Sequence, residues 1–149
     1  MAKMLIIYHS EHHMNTKKLV EEASKGLDIL CTSIDDFNES LLDGVTIVGL
    51  ASGIFYGKHH KKLIEFVENF HDLLSNKQVY VIYTAGSNNQ QLGSYLCNKL
   101  DYYNITTLGT FNCLGWDSYG PYKLIGGLYK NHPTQEDIEA LRNNLVRFL

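Results

Sequence analysis

Three cysteines, two prolines and one tryptophan are all that this 149-residue chain holds of those types, and each scarcity excludes something. Cys31, Cys97 and Cys113 are odd in number and not closely spaced, so they frame neither a disulfide scaffold nor a zinc site and read as reduced, buried thiols. Both prolines, Pro121 and Pro133, fall in one late segment, and no linker or low-complexity tract divides the chain. An excess of one charge is also lacking, since 13 basic against 16 acidic residues leave a net charge of -3. That balance excludes a nucleic-acid binder resting on surplus Lys and Arg. The first apolar stretch, Met4 to Tyr8, is too short for a signal-peptide core, and no run approaches the ~18 apolar residues of a membrane span. The expectation is a cytoplasmic protein with no membrane or nucleic-acid partner. Neither a Walker sequence nor a dinucleotide fingerprint of three spaced glycines is present.

What the chain does have is alternation. Met4-Leu5-Ile6-Ile7 is a short apolar run of the kind a fully buried strand needs, and from Thr16 the period changes, with Leu19, Val20, Ala23 and Leu27 on one helical face. A weaker strand is predicted over 28–34, an acidic loop or irregular helix over 35–43, and a clear strand over Val45 to Leu50. Leu63, Phe66, Val67 and Phe70 mark a second amphipathic helix, and 78–84 a strand rich in Val, Ile and Tyr. Leu92, Tyr95, Leu96 and Leu100 mark the third helix, and Ile105 to Cys113 the last strand. Thr134 with Asp137 three residues on reads as a capping-box-like start to a final helix bearing Ile138, Leu141, Leu145 and Phe148.

Five apolar strands separated by helices specify a doubly wound α/β fold, a parallel sheet covered on both faces in a three-layer sandwich. With no internal repeat, the whole of 1–149 is expected to form one domain. The 20-residue connection from Leu114 to Pro133, with Trp116, Tyr119, Tyr122 and Tyr129, is long enough to be functional and is expected to lie ordered beside a ligand.

Ligands of open parallel sheets bind beyond the carboxyl ends of the strands where strand order reverses. Three loops therefore matter. His9-Ser10-Glu11-His12-His13-Met14-Asn15-Thr16 puts hydroxyls, an amide and imidazoles before a helix N-terminus, an anion site in outline; Asn15 or Thr16 acting only as a helix cap is the other reading. Ala51 to His60 carries Gly53 and Gly57 around Phe55 and Tyr56 and ends in Lys58-His59-His60, which offers a flat aromatic face to a planar ring or, alternatively, plugs the sheet edge. Ala85-Gly86-Ser87-Asn88-Asn89 supplies backbone donors and little bulk. Together they point to a phosphorylated, planar ligand. A phosphoacceptor domain on the same sheet would need acidic residues just after strand one, where His9 and Ser10 stand, and an acceptor Asp after strand three, and neither position is acidic. The histidines read as phosphate and ring-edge donors or as exposed helix-start residues, with no metal expected, because neighbouring residues point apart and no Cys or carboxylate stands at ligand spacing.

These segments, His9 to Leu19, Gly49 to His60, Tyr83 to Gly86 and Cys113 to Pro133, resemble the short flavodoxin-like proteins of bacteria and archaea across almost the whole chain. Those proteins typically show His-His-Gly-Asn-Thr, Gly-Ser-Gly-Ile-Tyr-x-Gly-Lys-x-His and Ser-Thr-Ser-Gly-like loops and a Gly-Pro-Phe-Lys…Gly-Gly…His-Pro tail. The resemblance implies strand order 2-1-3-4-5, with FMN at the switch between strands one and three, the general placement known for flavodoxin. It also implies FMN phosphate on Ser10, His12, His13, Asn15 and Thr16, and the ring between Phe55, Tyr56, Gly57, Lys58 and Ala85, Gly86, Ser87, with Met14, Ser52 and Gly53 in the same site. The implied function is electron transfer with a redox partner protein or small-molecule acceptor. An FMN-dependent reductase of quinones or other small acceptors is the alternative, and a flavodoxin-fold binding module without FMN a third. Met14 stands where the family usually has Gly, and the third loop lacks an aromatic ring cover that Trp116, Tyr119 or Tyr122 would have to replace. No Asp or Glu lies between Ala51 and His60 or between Ala85 and Gln91. A reduction potential less negative than that of acidic flavodoxins is therefore expected.

Overall fold

The computed structural model describes residues 2–11, 14–87, 89–115 and 132–149. In chain order the elements are β1 (Met4–His9), α1 (Asn15–Ser24), β2 (Ile29–Ser33), β3 (Ile47–Phe55), β4 (Lys58–His59), α2 (Lys61–Leu74), β5 (Gln78–Ala85), α3 (Ser94–Tyr102), β6 (Thr106–Leu114) and α4 (Gln135–Val146). Short 3-10 turns occupy Glu39–Leu42, where an acidic loop or irregular helix is expected, and Gln90–Gly93.

The strands run in the order β2-β1-β3-β5-β6, all parallel, and β4 folds back antiparallel on β3. With β4 set aside this is the 2-1-3-4-5 order of a flavodoxin-like sheet. Side chains alternate between faces along each strand, and both faces are apolar. Met4 and Ile6 join Leu19, Val20 and Ala23 of α1 and Ile138, Leu141 and Leu145 of α4 in one core. Leu5 and Ile7 join Leu63, Phe66 and Val67 of α2 and Leu96 and Leu100 of α3 in the other. Two buried helical faces against one sheet make the three layers, at about 1.5–3 kcal/mol for each large apolar side chain taken out of water.

The capping box at α4 is formed as read: Thr134 Oγ1 accepts from Asp137 N–H at 3.2 Å, and Asp137 Oδ2 accepts from Thr134 N–H at 2.7 Å. All three cysteines are free, but Cys113 alone is buried, and Cys31 and Cys97 are half-buried. Burial pushes the Cys113 thiol up to about 12 and the Cys31 thiol up to about 11, so neither is a thiolate near neutral pH.

The largest departure from the sequence reading is at the second loop. Strand three does not stop at Leu50 but runs to Phe55, so Ala51 to Phe55 is sheet and only Tyr56-Gly57 turns. Hydrogen bonding explains this, because Ser52 and Gly53 pair with Tyr83 and Thr84 of β5, and Ile54 and Phe55 pair with His59 and Lys58. Ladder pairing on both sides overrides the weak strand preference of Ser and Gly. The predicted tail from Leu114 to Pro133 lies, over 116–131, outside the described residues, with Trp116, Tyr119, Tyr122 and Tyr129 among them.

Candidate functional site

Because the sheet is parallel, β1, β3, β5 and β6 end on one edge, with His9 level with Ser52, Ser52 with Tyr83, and Thr84 with Cys113. Strand order reverses between β1, flanked by β2, and β3. The three loops singled out from sequence therefore meet at the crevice where doubly wound sheets take ligands.

The first loop enters α1 through Met14, whose φ of 55° is left-handed. That conformation suits glycine and strains a side chain by about 1–2 kcal/mol. Met14 thus keeps a glycine-like turn while carrying a half-exposed side chain. Met14→Gly is expected to stabilise the fold by up to about 1 kcal/mol, a rise of roughly 2–4 °C in Tm, after part of the relief is offset by glycine's freedom in the unfolded chain. A lower Tm for Met14→Gly in a calorimetric scan would show that the left-handed turn is not strained.

Met14 stands at the N-cap of α1 and makes no side-chain cap bond, with Asn15 and Thr16 as the first two residues of the helix. Ser10 supplies one from outside the helix, its Oγ accepting from Lys17 N–H at 3.1 Å. Thr16 is 2% exposed and shares a 3.2 Å hydrogen bond between its hydroxyl and that of Thr84 on β5, which anchors the helix start to the sheet. Asn15 packs against Gly115, where an added Cβ would stand 2.7 Å from Asn15 Nδ2. His12 and His13 lie outside the described residues.

In the second segment Tyr56 (φ 55°) and Gly57 (φ 79°) form the two-residue turn between paired Phe55 and Lys58. Two left-handed residues in succession are the type I′ geometry that matches strand twist. Tyr56 is 92% exposed at the tip, a flat face open to a ring. Phe55 turns back and meets His60 edge-on at 4.8 Å. Ser52 is fully buried, its hydroxyl donating to Gly53 O at 2.7 Å and accepting from His60 N–H at 3.0 Å, so it shapes the hairpin from within. Lys58 leans toward α3, its ammonium 4.6 Å over the Tyr95 ring. At the end of β5, Ala85 is half-buried and accepts from Gly115 N–H, Gly86 is half-buried and Ser87 exposed; Asn88 lies outside the described residues.

The two adjacent histidines of the hairpin face opposite ways, as neighbours on a strand edge should. His59 is fully buried, donating Nε2–H to Ile82 O at 3.1 Å, and its Nδ1 has no partner. Burial pushes it down to about 4, so it is neutral at pH 7. His60 caps α2, its Nδ1 accepting from Lys62 N–H at 3.0 Å. Burial first, and the neighbouring His9 next, hold His60 below its ordinary range.

Sequence reasoning passed over Glu11. Its Oε1 accepts from His9 Nε2 at 2.9 Å and from His60 Nε2 at 3.1 Å, and the two rings stand 4.0 Å apart. A carboxylate therefore does stand at the hairpin, supplied by the first loop. These three residues could hold a metal ion by distance alone, their ligand atoms all lying within 4.8 Å. The Lys62 N–H on His60 Nδ1 favours the ring proton on Nε2, which then donates to Glu11.

Comparison with known proteins agrees with this picture. The sequence profile of a family described as a flavodoxin domain matches residues 5–113. An uncharacterized protein of Methanocaldococcus jannaschii is 35% identical over 142 residues, covering 94% of this chain and 93% of its own. The two-electron reduced flavodoxin of Megasphaera elsdenii superposes with a TM-score of 0.66 at 16% identity, over 94% of this chain and 98% of that one. A flavodoxin WrbA-like protein of Agrobacterium tumefaciens gives 0.67 at 14% identity, over 99% and 94%. Likeness at such identities establishes the shared fold.

Proposed function

The chain belongs to the flavodoxin domain family, and on that premise we propose that it binds FMN at the β1/β3 crevice and serves in electron transfer. The observation that carries this reading is the meeting of three different surfaces on one sheet edge: a helix N-terminus entered by a left-handed turn, an exposed aromatic at a hairpin tip, and the small Ala-Gly-Ser loop at the end of the neighbouring strand β5. The residues fit the group. Phosphate would be held at α1 by helix N–H groups and Asn15, with Ser10 fixing the turn, and the ring would lie between Tyr56 and the loop from Ala85 to Ser87. Bound flavin supplies the electron chemistry; the protein binds it, orients it and excludes water from it.

The test is the absorption spectrum of purified protein, followed by titration of apoprotein with FMN. A flavin spectrum and micromolar or tighter binding are expected, and a colourless protein indifferent to added FMN would overturn the reading. Gly115→Ala, by pushing the Asn15 amide aside, is expected to weaken FMN several-fold while leaving riboflavin and Tm nearly unchanged. Equal weakening of both ligands would place the effect away from the phosphate.

One feature favours a second reading as a reductase of a small acceptor. A cavity of about 580 Å³ opens beside the hairpin, lined by Phe55, Tyr56, Lys58, His60 and Tyr95 among others, room enough for a planar molecule. Turnover of a quinone driven by a nicotinamide donor separates a reductase from an electron carrier that needs a partner protein. Among the described residues no helix is long and apolar enough to cross a membrane.

A further inference from the structure

We propose that Glu11 is a positioning residue that clamps the β1–α1 loop to the hairpin side of the crevice, coupling the phosphate end of the site to its ring end; this rests on the FMN reading above. Glu11 is the meeting point of three elements, β1, β3 and α2. His9 ends β1, and His60 caps the start of α2, where its N–H is held by Ser52 of β3 and its ring abuts Phe55 at the end of that strand. Both imidazoles converge on a single oxygen of a side chain that is 46% exposed. An exposed glutamate on a surface loop ordinarily stays in water, so two hydrogen bonds to one oxygen are a specific arrangement. Its place matters as well. A carboxylate on a loop that receives phosphate would repel it, and here the carboxylate is engaged by imidazole N–H groups on the hairpin side. The clamp fixes Glu11, at the start of the loop, before ligand arrives, which lowers the entropic cost of binding.

The two ways Glu11 could act on FMN have opposite signs. If it acts as a clamp, Glu11→Ala weakens FMN and riboflavin alike, by about tenfold for the loss of charge-assisted hydrogen bonds, while Glu11→Gln, which keeps a carbonyl acceptor, restores most of the affinity. If only its charge matters, both variants tighten FMN relative to riboflavin. The experiment is a fluorescence titration of both ligands against the wild type, Glu11→Ala and Glu11→Gln, together with proton–nitrogen spectra of the histidine rings in apoprotein. A slowly exchanging His60 Nε2–H in the wild type and in Glu11→Gln, lost in Glu11→Ala, is expected. Glu11→Ala binding FMN as well as the wild type, or stoichiometric Zn²⁺ displacing that proton, would overturn the clamp. A wild type that binds neither flavin defeats the FMN reading instead, and the ring spectra still judge the clamp.

Discussion

Between pH 6.5 and pH 4 the protein is expected to lose about 3 kcal/mol of stability through one side chain, His59, whose ring burial pushes down from 6.5 to about 4. The sign follows from which state takes the proton. Below pH 6.5 the unfolded chain protonates this imidazole and the folded protein does not, so stability falls by about 1.4 kcal/mol per pH unit until the folded protein protonates too, near pH 4. Above pH 6.5 the contribution is constant. The ring cannot escape by turning outward, since Nε2 is fixed to Ile82 O and the edge of the ring meets Tyr83 at 5.4 Å. His59→Gln, whose amide can still donate to that carbonyl, removes the titration and should flatten the slope relative to the wild type. Urea unfolding at pH 7, 5.5 and 4.5 reads this directly. Parallel pH dependences for the two proteins would show that His59 is not the titrating group.

The sheet was legible because its central strands are short apolar runs. Met4 to Ile7 and Val79 to Ile82 face apolar cores on both sides, so their composition alone announces burial. The hairpin was not legible to the same degree. Ser52 and Gly53 have poor strand preference, and what makes them strand is pairing with Tyr83 and Thr84, which lie about thirty residues away. A local signal did exist in Tyr56-Gly57, a two-residue pair with Gly second that suits a type I′ turn. Reading it would have ended β3 at Phe55.

The site divides along the same line. Residue types facing the crevice were readable from loop composition at the ends of β1, β3 and β5, because topology alone sends those loops to one edge. The use each side chain is put to was not. Ser10 caps the helix that Asn15 and Thr16 were candidates to cap, and Ser52 and Thr16 turn their hydroxyls inward. Glu11 escaped notice because its partners, His9 and His60, sit on elements that meet only in the folded chain. The sequence-based expectation of a carboxylate-free ring environment therefore has to include Glu11, with its charge engaged by two imidazoles, and Lys58, with its ammonium over Tyr95.

Asn15→Ala is expected to weaken FMN by roughly ten- to a hundredfold and riboflavin by less than twofold, the range set by about 1.5–3 kcal/mol for a hydrogen bond to a charged group. Asn15 is the first residue of α1, half-buried beside Gly115, where a side-chain amide and the helix N–H groups can converge on one anion. Thr16, next in sequence, should behave differently. Thr16 is 2% exposed and its hydroxyl is bonded to that of buried Thr84, so Thr16→Ala leaves the Thr84 hydroxyl without this partner and costs about 1–3 kcal/mol of stability. Loss of that anchor loosens the start of α1 for either ligand. Asn15→Ala therefore discriminates between FMN and riboflavin, Thr16→Ala lowers Tm with little discrimination, and the double variant does both. Fluorescence titrations with the two flavins, set beside thermal unfolding of each variant, measure all three effects. Equal losses of FMN and riboflavin in Asn15→Ala would mean that phosphate is not held at the start of α1, and with that the assignment of the first loop as the phosphate site would fall.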